Sequence, residues 1–166
     1  MVNLLQNPGF EEGTIGDPSH WLKYYNTPMT YPEFMYPEPG RIVSDSSVGI
    51  RFEAGGFIQS VPIDPTKKYM LSGYIKTLGI DGTGVIGIDW KDTLGNWIDK
   101  AEICYVSGTT VWTQYQQVVM PAIGTVIGTV FLELRITTGT GTVWFDDISI
   151  EETVCDAIVD STFIVQ

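Results

Sequence analysis

Thr142-Val143-Trp144-Phe145-Asp146-Asp147-Ile148-Ser149-Ile150 decides how the rest of the chain is read. Apolar, β-prone residues stand on both sides of two adjacent carboxylates, and the Gly/Thr turn Thr138-Gly139-Thr140-Gly141 precedes them. The run predicts a final strand with two acids in its middle. Aspartate is a poor strand residue, and a buried carboxylate is costly unless hydrogen-bonded, ion-paired or bound to a metal, so the pair needs a partner. Asn7-Pro8-Gly9-Phe10-Glu11-Glu12-Gly13, at the other end of the chain, is a turn-forming run with two more acids between glycines, and neither stretch holds a strong base. If the first and last strands lie side by side, these carboxylates converge, and a hard cation such as calcium would neutralise them. The expectation is a β-sandwich closed by its own termini, with an ion at the seam.

The remaining composition bounds the possibilities. With 166 residues, 43% of them hydrophobic, the chain can form one domain with a sizeable core. No run of about eighteen apolar residues occurs, so no helix would cross a bilayer. Met1 to Asn7 lacks a basic region and a long apolar core, and does not read as a signal peptide. Twenty acidic against nine basic residues give a net charge of −11, which disfavours nucleic acid and anionic membrane surfaces as partners. Cys104 and Cys155 allow at most one intramolecular disulfide and form no metal or redox motif, leaving their pairing open.

Eighteen glycines and nine prolines punctuate segments rich in Thr, Val, Ile and aromatics, and no segment holds a helical apolar spacing for three turns. The fold class is therefore all-β. Asn3 to Asn7 predicts a short first strand. Tyr24 to Gly40, with prolines at 28, 32, 37 and 39 and many aromatics, predicts an ordered loop packed on a rim. Gly49 to Ala54 places Ile50 and Phe52 on one face, with Arg51 and Glu53 on the other. Tyr69, Leu71 and Ile75 point to the core, as do Ile86, Ile88 and Trp90, while Ser72, Tyr74, Lys76, Asp89 and Lys91 point outward. Asp92 to Asn96 turns the chain into Trp97. Val130, Leu132, Leu134 and Ile136 alternate with Phe131, Glu133, Arg135 and Thr137, so several strands share one apolar and one polar face.

These pieces together carry a resemblance. Asn7 to Gly13, Trp21, Tyr69 to Lys76, Thr110-Val111-Trp112-Thr113-Gln114-Tyr115 and Val143 to Ile150 resemble, in order and spacing, the carbohydrate-binding modules grouped with families 4, 9, 16 and 22. The resemblance implies a β-sandwich jelly-roll of two antiparallel sheets over residues 1–152, with a C-terminal tail at 153–166 that adds a strand or serves as a linker. It implies a structural calcium held by Glu11, by Asp146 and by backbone carbonyls from the Gly9 loop and the turn ending at Ser47. It also implies a poly- or oligosaccharide ligand, and membership of a larger multidomain protein at the cell surface or outside the cell.

A pyranose offers C–H faces that stack on aromatic rings and hydroxyls that bond to carboxylate, amide and guanidinium groups. Trp21, Tyr74 and Trp97 are the stacking candidates, together with the loop tyrosines. Asp89, Glu133 and Arg135 are the hydroxyl partners, with ordinary cross-strand ion pairing as the competing role for the charged set. Trp90 and Trp112 read as core, and Trp144 can face either way. An enzyme is not expected, because the main acidic cluster is accounted for by a metal and His20 has no nucleophile or second base arranged with it. The alternative is a structural or adhesion jelly-roll of a surface or virion protein that binds no sugar.

Overall fold

The computed structural model describes residues 1–25, 31–43, 45–135 and 139–154. Ten strands follow one another: β1 Gly13–Thr14, β2 Asp17–Pro18, β3 Leu22–Tyr24, β4 Glu33–Pro39, β5 Ser46–Arg51, β6 Gly55–Pro62, β7 Tyr69–Lys91, β8 Trp97–Val119, β9 Ile127–Arg135 and β10 Thr142–Glu152. β1 and β2 form a small hairpin, and the other eight join in one antiparallel sheet of order β3-β6-β9-β7-β10-β5-β4, with β8 beside β7.

The two long strands fold this sheet into a sandwich. Residues 69–78 of β7 pair with β10, whereas residues 83–91 pair with β9. Between these halves the β7–β8 ladder shifts register three times, from Ile75 to Gly84. Such irregularities bend a strand and raise its twist, so β7 and β8 pass from one layer into the other. The first layer is β4-β5-β10-β7-β8 and the second β3-β6-β9-β7-β8. Val48, Ile50, Leu71, Ile75, Phe145 and Ile148 of the first meet Phe57, Ile86, Ile88, Trp90, Val130 and Leu132 of the second in the core. Period-two alternation assigned Ile50, Leu71, Ile75, Ile86, Ile88, Trp90, Val130 and Leu132 to this core; Val48, Phe57, Phe145 and Ile148 join them.

Four local expectations are corrected. Asn3 to Asn7 forms no strand: only Asn3 bridges Glu151, while the Asn3 side chain bonds Ile150 N and Ile148 O. The proline-rich region includes a real edge strand, β4, whose prolines are tolerated because it pairs on one side only. Phe52 has a φ of 74° and is 47% exposed, because that conformation takes it off the alternation; Arg51 stacks on it at 4.6 Å. Trp112 is half-buried and outside the core cluster. Ile136, Thr137, Cys155 and most of the predicted tail lie outside the described residues, and so does the question of a Cys104–Cys155 bond.

Candidate functional site

Strand register sorts the outward side chains of the second layer into rows. Gly56, Glu133, Val85 and Tyr105 stand side by side; Ile58, Phe131, Gly87 and Glu102 form the next row, and Ser60, Thr129, Asp89 and Lys100 the one after. Glycine matters twice here. A Cβ on Gly56 would lie 2.4 Å from the Tyr24 ring, and one on Gly87 would lie 2.3 Å from the Phe131 ring, so the missing side chains let two aromatics lie over the sheet. Val85 and Phe131 are buried although they face away from the sandwich core. They make an apolar floor that the side chains above it cover almost completely.

Charged side chains wall this floor. Arg135 donates to Glu133 at 2.6 Å and to Glu102 at 2.5 Å, and Lys100 donates to Glu102 at 2.8 Å. The Tyr105 hydroxyl donates to Glu102, and the Tyr24 hydroxyl to Glu133. Burial alone would raise the Glu102 pKa, but hydrogen bonds from Arg135, Lys100 and Tyr105 outweigh it and hold the carboxyl at about 2. Two carboxylates and two cations leave the wall formally neutral. Tyr24, Tyr25, Lys100, Glu133 and Arg135 border a cleft of about 340 Å³ at this point. Across the sheet, Trp97 is 58% exposed, and its indole N–H donates to Asp89 at 3.1 Å. Burial raises the Asp89 pKa above its ordinary value, partly countered by that hydrogen bond and by Lys91 and Lys100.

Four of the six expected ligand residues, Asp89, Trp97, Glu133 and Arg135, thus share one face. Trp21 does not join them. It is 5% exposed, packs on Phe10 at 5.1 Å and donates its N–H to the Asn7 carbonyl, so it anchors the N-terminal loop and has no open ring face. Tyr74 lies on the first layer, opposite Asp146 in register, and the Arg41 guanidinium covers its ring at 4.1 Å. Glu102, Lys100 and Tyr105 were missed. Counting outward from the Asp92–Asn96 turn would have set Asp99 opposite Asp89; a register shift between Trp90 and Lys91 puts Lys100 there instead.

At the seam, Glu11 accepts from Ser46 N at 2.8 Å, and Asp146, 2% exposed, accepts from Arg41 N at 2.8 Å and Asp147 N at 2.7 Å. A base reaches the pair from outside both stretches: Arg41 clamps Asp147 at 2.6 and 3.1 Å. Asp147 has a φ of 48° where the β10–β7 register breaks, which turns it toward Arg41. The Ser47 hydroxyl is buried and donates to the Pro39 carbonyl at 2.9 Å, a bond that fixes its direction. Among the described residues no three acidic, histidine or cysteine side chains converge. The donors still fit a hard cation in kind. Burial, with Asp147 and Glu11 adding repulsion, raises Asp146 to about 6 despite its backbone hydrogen bonds, so negative charge at the buried carboxylate is not fully compensated.

The layers and the walled face define the class: a jelly-roll of the carbohydrate-binding-module type. Residues 7–150 match the family described as BppA domain 1, a member of the family 4/9 carbohydrate-binding modules, and the chain belongs to that family. Solved structures share the fold at low identity. A xylan-binding CBM22-1 domain from Paenibacillus barcinonensis is 18% identical with a TM-score of 0.59 over 87% of this chain and 90% of that one. TmCBM61, solved with β-1,4-galactotriose, is 16% identical with a TM-score of 0.57 over 92% and 100%. The enzymatically active domain of bacteriophage CBA120 tailspike protein 4 is 14% identical with a TM-score of 0.71 over 92% of this chain, which spans only 22% of that domain.

Proposed function

We propose that the chain is a non-catalytic module that binds a poly- or oligosaccharide on the outer face of its second layer, as part of a larger extracellular or cell-surface protein. The observation that carries this reading is the cleft where the rings of Tyr24 and Tyr25 meet the polar side chains of Lys100, Glu133 and Arg135. Sugar rings stack on Tyr24, Tyr25 or Trp97, and their hydroxyls bond to Glu133, Arg135, Lys100 and Asp89. Hydrogen-bonded pairing holds these groups in place before ligand arrives, which lowers the ordering cost of binding.

Calcium at the seam is proposed as a structural ion, with Glu11 and Asp146 as its anionic ligands and backbone carbonyls completing the shell. It would tie the N-terminal loop to the last strand and take no part in sugar recognition.

A glycan array, with affinity gels of soluble β-glucan, xylan, galactan and mannan in calcium, tests the proposal. Retention by one class, competed by its oligosaccharides, is the expected result. The mutual pairing of Glu102, Lys100, Glu133 and Arg135 also suits a structural or adhesion domain. Silence of a folded sample across the array would favour that second reading.

A further inference from the structure

A second cleft, of about 350 Å³, opens where β3 ends and the edge of β6 continues alone. Its wall combines Leu4, Leu22, Ile58 and Pro62 with Gln6, His20 and Ser60. Resting on the carbohydrate reading of the face described above, we infer that this His20 cleft is a further sugar-binding subsite, set beside the Tyr24 cleft along β3 and β6, so that the module grips an extended glycan chain along its β3–β6 edge.

Three observations converge. Register places Leu22 beside Ile58 and Tyr24 beside Gly56, so β3 borders both clefts and the exposed Leu22 forms the ridge between them. Ile58 and Ser60 lie on the outward parity of β6 with Gly56, so the second cleft opens on the same face as the first. The lining also has the mixed character a pyranose needs: aliphatic surface for C–H faces, with imidazole, amide and hydroxyl for its oxygens. Ser60 is held by a 2.9 Å hydrogen bond to Thr129, and Thr129 sits opposite Asp89, so this polar row leads from the second cleft toward Trp97.

The N-terminal segment fixes the far wall. The Gln59 amide accepts from Gln6 N at 2.7 Å and donates to Gln6 O at 2.9 Å, a pairing that imitates a strand partner. His20 has a φ of 70°, and its neighbour Trp21 is buried while His20 itself stays exposed. From Gly55 to Ile58, the nearest β6 residues of the two clefts, is three residues, about 10 Å at the usual strand rise, too far for one sugar ring to reach both clefts. A ligand that fills both clefts is therefore a chain of several rings.

The experiment measures affinity for β-1,4-linked gluco-, xylo-, galacto- and manno-oligosaccharides from disaccharide to hexasaccharide, using the wild-type chain, the double variant His20→Ala with Leu22→Ser, and Glu133→Ala. Both residues of the double variant are exposed, and its melting temperature is expected to stay at the wild-type value. In the retained sugar class, affinity should rise about tenfold or more from disaccharide to hexasaccharide. The double variant should lose that rise while keeping disaccharide binding, whereas Glu133→Ala weakens every length. A flat length series, or a double variant that weakens all lengths equally or none, overturns the second cleft and leaves the first standing. A wild-type protein that retains no member of any series overturns the carbohydrate reading, and both clefts with it.

Discussion

Asp146 and Glu102 both lie near the surface of a strand layer, yet their surroundings drive them in opposite directions. Asp146 is pushed up to about 6 by burial, with Asp147 and Glu11 adding repulsion. Glu102 is also penalised by burial, but Arg135, Lys100 and Tyr105 hold it at about 2. A carboxylate whose native pKa lies below its ordinary 4.5 contributes stability that is fully present above that value and lost as pH falls toward 2. Urea unfolding from pH 5 to pH 2 should therefore show a steeper loss in wild type than in Glu102→Gln, which should already be less stable at pH 5. At Glu133, substitution by Ala should abolish or sharply weaken sugar retardation in an affinity gel while shifting the melting temperature little; unchanged retardation would remove it from the site. Trp21 is the opposite case. Because its ring fills the space beside Phe10, Trp21→Ala should cost about 3–5 kcal/mol in chemical unfolding, with any loss of binding following from loss of fold.

The strands explain why some of this was legible in the sequence. Val130 to Arg135 and Val85 to Lys91 alternate in direction, broken in character only by Phe131, Val85 and Gly87, so Glu133, Arg135 and Asp89 could be assigned outward without knowing what lay beside them. Their neighbours were another matter. Glu102 meets Arg135 across 33 positions of sequence, and that meeting depends on where β8 shifts register against β7. Arg41 reaches Asp147 across 106 positions from a segment with no strand pattern at all. Tyr74 alternates correctly but belongs to the other layer, because β7 changes layers along its length and alternation alone carries no record of that bend. Gly87 shows how tightly the face is built. Adding one methyl there would press on Phe131 and on the fixed Ala101 carbonyl at 2.7 Å, so Gly87→Ala should destabilise by about 1–3 kcal/mol, read from the denaturant midpoint.

For the whole molecule, the sandwich keeps its two special regions apart. The walled face belongs to the second layer, whereas Glu11, Asp146 and Arg41 gather beside the first, where the N-terminal loop meets β10. A structural ion at that seam should stabilise the native state without altering sugar affinity. Thorough chelation should lower the melting temperature, and calcium should restore it; an unchanged transition would remove the ion from the seam. Sugar retardation measured below the lowered transition should be the same with and without the chelator.

The pairing of Asn3 with Glu151 fixes how the module would carry a mechanical load. Because the two ends of the folded region run antiparallel and side by side, tension applied through both would peel them apart one contact at a time. The bonds between Asn3 and Ile150, between Leu4 and Ile150, and then between Pro8 and Ile148 would be met in sequence. Such an unzipping geometry yields at lower force than one in which all the bonds are sheared together, so a chain pulled at both ends would open at its seam while the walled face of the opposite layer was still intact.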